Sequence, residues 1–173
     1  EATRKIEVDG SDLAAPLHEG YENSALDKVP VVLDAPLTVE GKEYRVSCVS
    51  MGNPNCVIML ERVDREKALH LGPYVENAKY FPNRINMQLC QIVDEKNIQV
   101  EIYERGAGYT FASGTGACAA AAASHRLGLV EDAVTVHMHG GDLFIEFEKD
   151  GRIFMTGPVV YIGKITVAEQ FFA

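Results

Sequence analysis

From Pro30 onward, short apolar runs alternate with polar positions and are cut at intervals by turn residues, which is the pattern of strands. The runs predict strands at Val31–Leu33, Leu37–Val39, Tyr44–Ser50, Cys56–Leu60, Ile85–Val93, Asn97–Glu104, Ala133–His137, Asp142–Lys149 and Arg152–Gly157. The turns between them carry Glu40-Gly41-Lys42, Gly140-Gly141 and Asp150-Gly151, and Asp-Gly is the strongest two-residue hairpin signal of the three. Two stretches break this pattern: Arg65–Asn77 predicts a helix in part, weakened at Gly72 and Pro73, and Thr115–Leu127 predicts another. Residues 1–29 are polar and lack periodicity, so they are expected to be a linker or an edge segment from a preceding lobe, with residues 30–173 forming the folded lobe.

The second helix is the best specified element. Ala117 and Ala119–Ala123 are strong helix formers, Ser113 or Gly114 can cap its start, and Gly128 sits where a left-handed C-terminal residue belongs. It is apolar on every face as far as Ser124, and a helix apolar all round is a buried one. The expected fold is therefore α+β: mostly antiparallel strands rolled around one central buried helix.

Composition narrows the partners. No stretch approaches the roughly 18 consecutive apolar residues of a membrane span. A net charge of −9, with Lys and Arg scattered, opposes a polyanion, so neither nucleic acid nor a membrane is expected. A small polar or zwitterionic ligand suits the chain better. The four cysteines, Cys48, Cys56, Cys90 and Cys118, lie apart among aliphatic neighbours and read as reduced, mostly buried thiols of a cytoplasmic protein. The opening at Glu1, on EATRKIEVDGSD, reads as the interior of a larger protein.

Chemistry concentrates at the mouth of the second helix. In Ala112-Ser113-Gly114-Thr115-Gly116 the glycines clear space for a ligand, and the first N–H groups of a helix lack internal partners, so the mouth can receive a carboxylate or phosphate. From spacing alone Ser113 reads first as a plain cap. Upstream, Glu104-Arg105 at a strand end can grip the ammonium and carboxylate of an amino acid, or form a solvated turn pair. Asn53 lies in the Gly52-Asn53-Pro54 turn, and Asn86 is a polar residue in an apolar strand that needs a partner if buried. His137 and His139 on one strand face could ligate a metal, but no third ligand has convincing spacing, so surface or packing roles are favoured.

Together MGNPNCVI, FPNRINMQ, YERGAGYTFASGTGACAAAAA, GGDLFIEF and IFMTGPVVYIG, in this order and spacing across roughly residues 30–165, resemble the C-terminal half of diaminopimelate epimerases. The resemblance implies a two-lobed isomerase of lysine biosynthesis, independent of pyridoxal phosphate and metal. Its substrate, LL- or meso-2,6-diaminopimelate, is held between two helix mouths. One cysteine per lobe removes or returns the α-proton. It implies further that Gly114 and Thr115 donate N–H groups to the reacting carboxylate. Asn53, Asn86 and Arg105 would hold the distal carboxylate, and Glu104 would meet the distal amine and steady the reacting end. An N-terminal lobe and a homodimer are the implied partners.

Two positions depart from the family. Ser113 stands where the catalytic cysteine is expected, and Asn55 replaces the histidine of G-N-P-H that assists proton transfer beside Glu104. A thiol of pKa about 8.5 becomes a thiolate readily at a helix N-terminus, whereas a serine hydroxyl needs an adjacent base. Ser113 is thus an introduced substitution, a natural residue of a racemase or dehydratase acting on another amino acid, or the mark of a non-catalytic binding homologue. The second departure, at Asn55, weighs against a single introduced change. Without its other lobe the chain is expected to be inactive.

Overall fold

The computed structural model of the chain describes residues 2–8 and 32–172. The rest of the expected linker, and Val31 of the first expected strand, lie outside the described residues. Ten strands form one sheet among the described residues: β1 (Ala2–Val8), β2 (Val32–Val39), β3 (Lys42–Ser50), β4 (Pro54–Met59), β5 (Asn86–Asp94), β6 (Asn97–Glu104), β7 (Gly108–Thr110), β8 (Ala133–Met138), β9 (Gly141–Phe147) and β10 (Ile153–Val159). Their order is β1-β10-β9-β8-β6-β5-β4-β3-β2, with β7 paired to β6 off this path. Pairing is antiparallel except at β4–β5 and β6–β8. At those two places the chain must cross over the sheet. The crossovers are the two helices, α1 (Arg65–Glu76) and α2 (Gly114–Arg126).

Alternation along the middle strands sends side chains into two separate cores. Cys56, Ile58, Met87 and Leu89 pack with Ala68, Leu71 and Val75 of α1. Val57, Cys90, Ile98, Val100 and Ile102 pack instead with the alanines of α2, together with Val134, Val136, Ile145 and Ile153. Ala117–Ala123 are almost fully buried, and α2 packs against β3, β4, β5, β6, β8, β9 and β10. Alanine suits this place because its short side chain lets strands close in from several directions at no cost in rotamer freedom. α1 closes a second apolar layer on the opposite face of the sheet.

The caps follow from the sequence. Asp64 Oδ1 accepts from the Lys67 N–H at 2.8 Å to start α1. At the end of α2, Gly128 takes a left-handed φ of 69°, its N–H bonding the His125 carbonyl and the Leu129 N–H bonding that of Ser124. α1 runs unbroken through Gly72 and Pro73. Pro73 lies in the last turn and gives up one hydrogen bond, to the carbonyl of Leu69, before the helix ends at Glu76. Gly72 is demanded from outside, because a Cβ there would lie 2.2 Å from Tyr103 Cγ on β6.

Other boundaries moved for local reasons. The two expected strands at Val31–Leu33 and Leu37–Val39 are one strand, irregular between Val32 and Ala35, with Asp34 at φ 50° bound to Ser47 and Arg45. Pro36 is accommodated because β2 is an edge strand. The tight two-residue turn is Glu40-Gly41, both with positive φ, between Val39 and Lys42. Asp150-Gly151 instead sits in a wider loop, where the Asp150 carboxylate accepts from the N–H and the Nε of Arg152. β7 was not expected, since three half-buried residues carry no readable period.

Candidate functional site

Ser113 leaves the sheet in an extended conformation, φ −150° and ψ 124°, and its Oγ accepts from the Gly116 N–H at 3.3 Å. It is the cap of α2. The N–H groups of Gly114 and Thr115 carry no partner among the described residues, so they face outward at the positive end of the helix. A Cβ at Gly114 would press on Met155 at 3.3 Å, and one at Gly116 would press on Gln88 Nε2 at 3.2 Å. Glycine at these positions lets β5 and β10 approach the mouth closely.

Three asparagines and a glutamine meet this mouth. Asn53 Nδ2 donates to Thr115 Oγ1 at 3.3 Å, and Thr115 Oγ1 lies 3.5 Å from Ser113 Oγ. Asn55 Nδ2 donates to the Asn53 carbonyl at 2.8 Å, while Asn55 Oδ1 accepts from Gln88 Nε2 at 3.0 Å and from Asn86 Nδ2 at 3.4 Å. The parallel register explains the convergence: Asn55 on β4 lies opposite Asn86 on β5, and Gln88 follows on the same face. Asn55, Asn86 and Gln88 are all buried, and such groups require partners. Gln88 Oε1 has none among the described residues, which leaves an acceptor beneath the mouth.

Arg105 joins through its backbone, its N–H donating to Asn86 Oδ1 at 2.8 Å. Its guanidinium is solvent-facing, with Nη1 donating to the Asn83 carbonyl at 2.9 Å. Glu104 ends β6 half-buried, and its carboxylate makes no hydrogen bond or ion pair among the described residues. The structure therefore gathers Asn53, Asn55, Asn86, Ser113, Gly114 and Thr115 directly. It attaches Arg105 by the main chain and leaves Glu104 unattached.

Sequence reasoning missed the buried Glu76, whose Oε1 accepts from Arg84 Nη1 and from the Gly106 N–H, each at 2.9 Å. Glu76 thereby pins the turn that presents Glu104 and Arg105. No local signal marks it, because the contact joins residues thirty positions apart. Gln88 did carry a signal, as a second polar residue two positions after Asn86 in an apolar strand.

No cysteine replaces Ser113. Cys118, further along α2, is fully buried against Met155, and burial pushes its thiol up to about 12. Around Ser113 Oγ the structure provides an N–H and a hydroxyl, neither of which is a base. The ring nitrogens of His137 are also occupied. His137 bonds Asn97 and Asp142 through its two ring nitrogens, while His139 lies in the following turn against Phe111, its ring centroid 4.6 Å away. No group of three or more metal-ligating side chains forms among the described residues.

Residues 47–162, which contain every one of these groups, match the family model of diaminopimelate epimerase. The chain belongs to the diaminopimelate epimerase family. It is 41% identical over 152 residues to the diaminopimelate epimerase of Moorella thermoacetica, covering 87% of this chain and 54% of that protein. It is 44% identical over 151 residues to diaminopimelate epimerase 2 of a Nostoc species, covering 84% and 53%. The chain spans about half the length of the curated relatives it matches.

The fold of this epimerase-family chain also recurs in distant solved structures. A probable proline racemase from Agrobacterium radiobacter superposes with TM-score 0.61 at 16% identity, over 80% of this chain and 51% of that one. A hydroxyproline epimerase from Agrobacterium vitis does so with TM-score 0.57 at 16% identity, over 73% and 46%.

Proposed function

We propose that the chain is one lobe of a two-lobed, cofactor-independent epimerase that interconverts LL- and meso-2,6-diaminopimelate. The observation that carries this reading is the convergence of Asn53, Asn55 and Asn86 on a helix mouth whose Gly114 and Thr115 N–H groups are unpaired among the described residues. In this reading the mouth receives the reacting carboxylate, and its preorganised N–H dipoles stabilise charge that develops as the α-proton leaves. Asn53, Asn86 and Arg105 hold the distal carboxylate, and Glu104 meets the distal amine.

The second lobe supplies the other acid/base residue. Its presence is supported by the length of the relatives and by the tail after β10, where Tyr161, Ile162 and Ile165 are 81%, 98% and 89% exposed. Covering such apolar surface gains about 25 cal/mol per Å². The same reading has the protein in the cytoplasm as a homodimer, with neither nucleic acid nor membrane as partner. No helix among the described residues is long and apolar enough to cross a membrane.

A second reading, a binding homologue that has lost catalysis, is favoured by Ser113, whose Oγ serves as a cap and has no base beside it. A racemase or dehydratase of another amino acid is the third reading, and it differs in asking for no anion at the solvent-facing Arg105 guanidinium.

The test is α-proton exchange, followed by NMR in deuterated water, on LL-diaminopimelate with the complete two-lobed protein carrying Ser113 or Ser113→Cys. Exchange with cysteine alone supports an epimerase scaffold silenced at one atom. If neither form exchanges the proton or binds the substrate in calorimetry, the assignment to diaminopimelate is wrong. Binding without exchange in either form selects the binding homologue.

A further inference from the structure

We propose that Cys48 and Cys56 form a redox-modification site that closes as a cross-strand disulfide when the folded protein meets a hydroperoxide. The two residues lie directly opposite each other in the antiparallel β3–β4 pair. Opposed residues in such a pair have Cα atoms about 4.5–5.5 Å apart, inside the window of about 4.4–6.8 Å that a disulfide spans. Both side chains point to the face covered by α1, where they pack in the same core. The other two thiols are elsewhere: Cys90 faces α2, with Sγ 3.5 Å from Ser124 Oγ, and Cys118 lies on α2 beside Met155. Register thus leaves Cys48 one thiol partner.

The two thiols differ in the way such a reaction needs. Cys48 is half-buried, so an oxidant the size of hydrogen peroxide can reach it, whereas Cys56 is fully buried. A hydrogen bond from the Cys56 thiol holds Cys48 below the ordinary thiol range, while Cys56 itself is pushed well up. Thiolate character governs nucleophilicity, so Cys48 attacks first. Its thiolate sulfur displaces hydroxide from the peroxide, giving a sulfenic acid. The Cys56 sulfur then attacks that sulfur, losing its proton, and the second hydroxyl leaves as water. Two thiols and one peroxide become one disulfide and two waters.

The position links the bond to the candidate site without depending on its assignment. Ser50 opposite Pro54 closes the turn Met51-Gly52-Asn53, and the cysteine pair lies two pairs further from the turn, on the same face as Ser50 and Pro54. Asn55, next to Cys56, points to the other face, toward Gln88. A disulfide here staples the hairpin that presents Asn53 and Asn55.

The test treats the reduced, folded full chain with hydrogen peroxide, blocks the remaining thiols with iodoacetamide and digests with trypsin. Residues 46–62, between Arg45 and Arg62, form one tryptic peptide holding Cys48 and Cys56 and no other cysteine. The expected product is this peptide unalkylated and lighter by two hydrogen atoms, with Cys90 and Cys118 remaining as thiols. In Cys56→Ser the same treatment should leave Cys48 as a sulfenic acid that dimedone captures. Recovery of the wild-type peptide with both cysteines alkylated, or with Cys48 joined to another chain, overturns the proposal.

Discussion

Replacing Gly72 by alanine sets two effects of known size against each other. Alanine in a helix interior is favoured over glycine by about 1 kcal/mol, so helix propensity alone has the substitution stabilise α1. Against this, the new Cβ would lie 2.2 Å from Tyr103 Cγ, 2.3 Å from Cδ2 and 2.7 Å from Cδ1. Carbon atoms rest at about 3.5–4.0 Å, so the ring must retreat by more than about 1 Å. Cγ is the near end of the side chain, and no rotation about χ2 removes it. The backbone of β6 or of α1 has to shift, and overpacking of this kind costs about 1–3 kcal/mol. With three ring atoms at 2.2–2.7 Å the cost falls in the upper part of that range, about 2–3 kcal/mol, so it outweighs the helical gain and leaves a net loss of about 1–2 kcal/mol and a fall in Tm of about 2–8 °C. Urea unfolding of the full protein measures the loss as a lower midpoint at unchanged slope. A cycle with Tyr103→Ala should remove the penalty, since without the ring Gly72→Ala keeps only its helical gain. A Gly72→Ala protein as stable as its parent, or more stable, would refute the steric reasoning.

Other measurements address the buried acid and the buried thiols. Glu76→Ala should cost about 1–3 kcal/mol in urea, because Arg84, held at φ 58°, and the Gly106 N–H both lose their acceptor. Glu76→Gln, which keeps a carbonyl oxygen in place, should cost clearly less, and equal losses would show that the two hydrogen bonds are not what matters. Burial pushes the Cys90 thiol up to about 11 and that of Cys118 up to about 12. A folded value above the unfolded one means that the folded state keeps its proton longer. This contribution is complete below about pH 9 and is lost as pH rises toward 11, by about 1.4 kcal/mol per pH unit for each thiol. Stability measured at pH 8, 9 and 10 should therefore fall less steeply in Cys90→Ala than in the parent, and parallel profiles would contradict the burial argument.

The residues that define the candidate site were readable because each announces itself locally. A serine before a glycine-rich helix start, a Gly-Asn-Pro turn and an asparagine inside an apolar strand are all visible without a partner in view. The same local signals specified α2, whose alanines, Ser113 cap and Gly128 close agree with one another. Glu104 and Arg105 were legible as an acid–base pair, yet only Arg105 is tied into the network, and by its main chain. Glu76 was invisible, since nothing near it in sequence shows that it supports a turn beyond β5 and β6.

By itself, then, the sequence determined the elements and the chemistry on offer, because hydrophobic period, caps and turn residues act within a few positions of the chain. What remained depended on which strands become neighbours. The parallel β4–β5 register set Asn55 against Asn86, the β3–β4 register set Cys48 against Cys56, and the two crossovers put α1 and α2 on opposite faces. Pairing partners are chosen by the burial of the whole sheet. Contacts between distant residues come into being only when that sheet has closed on both of its cores.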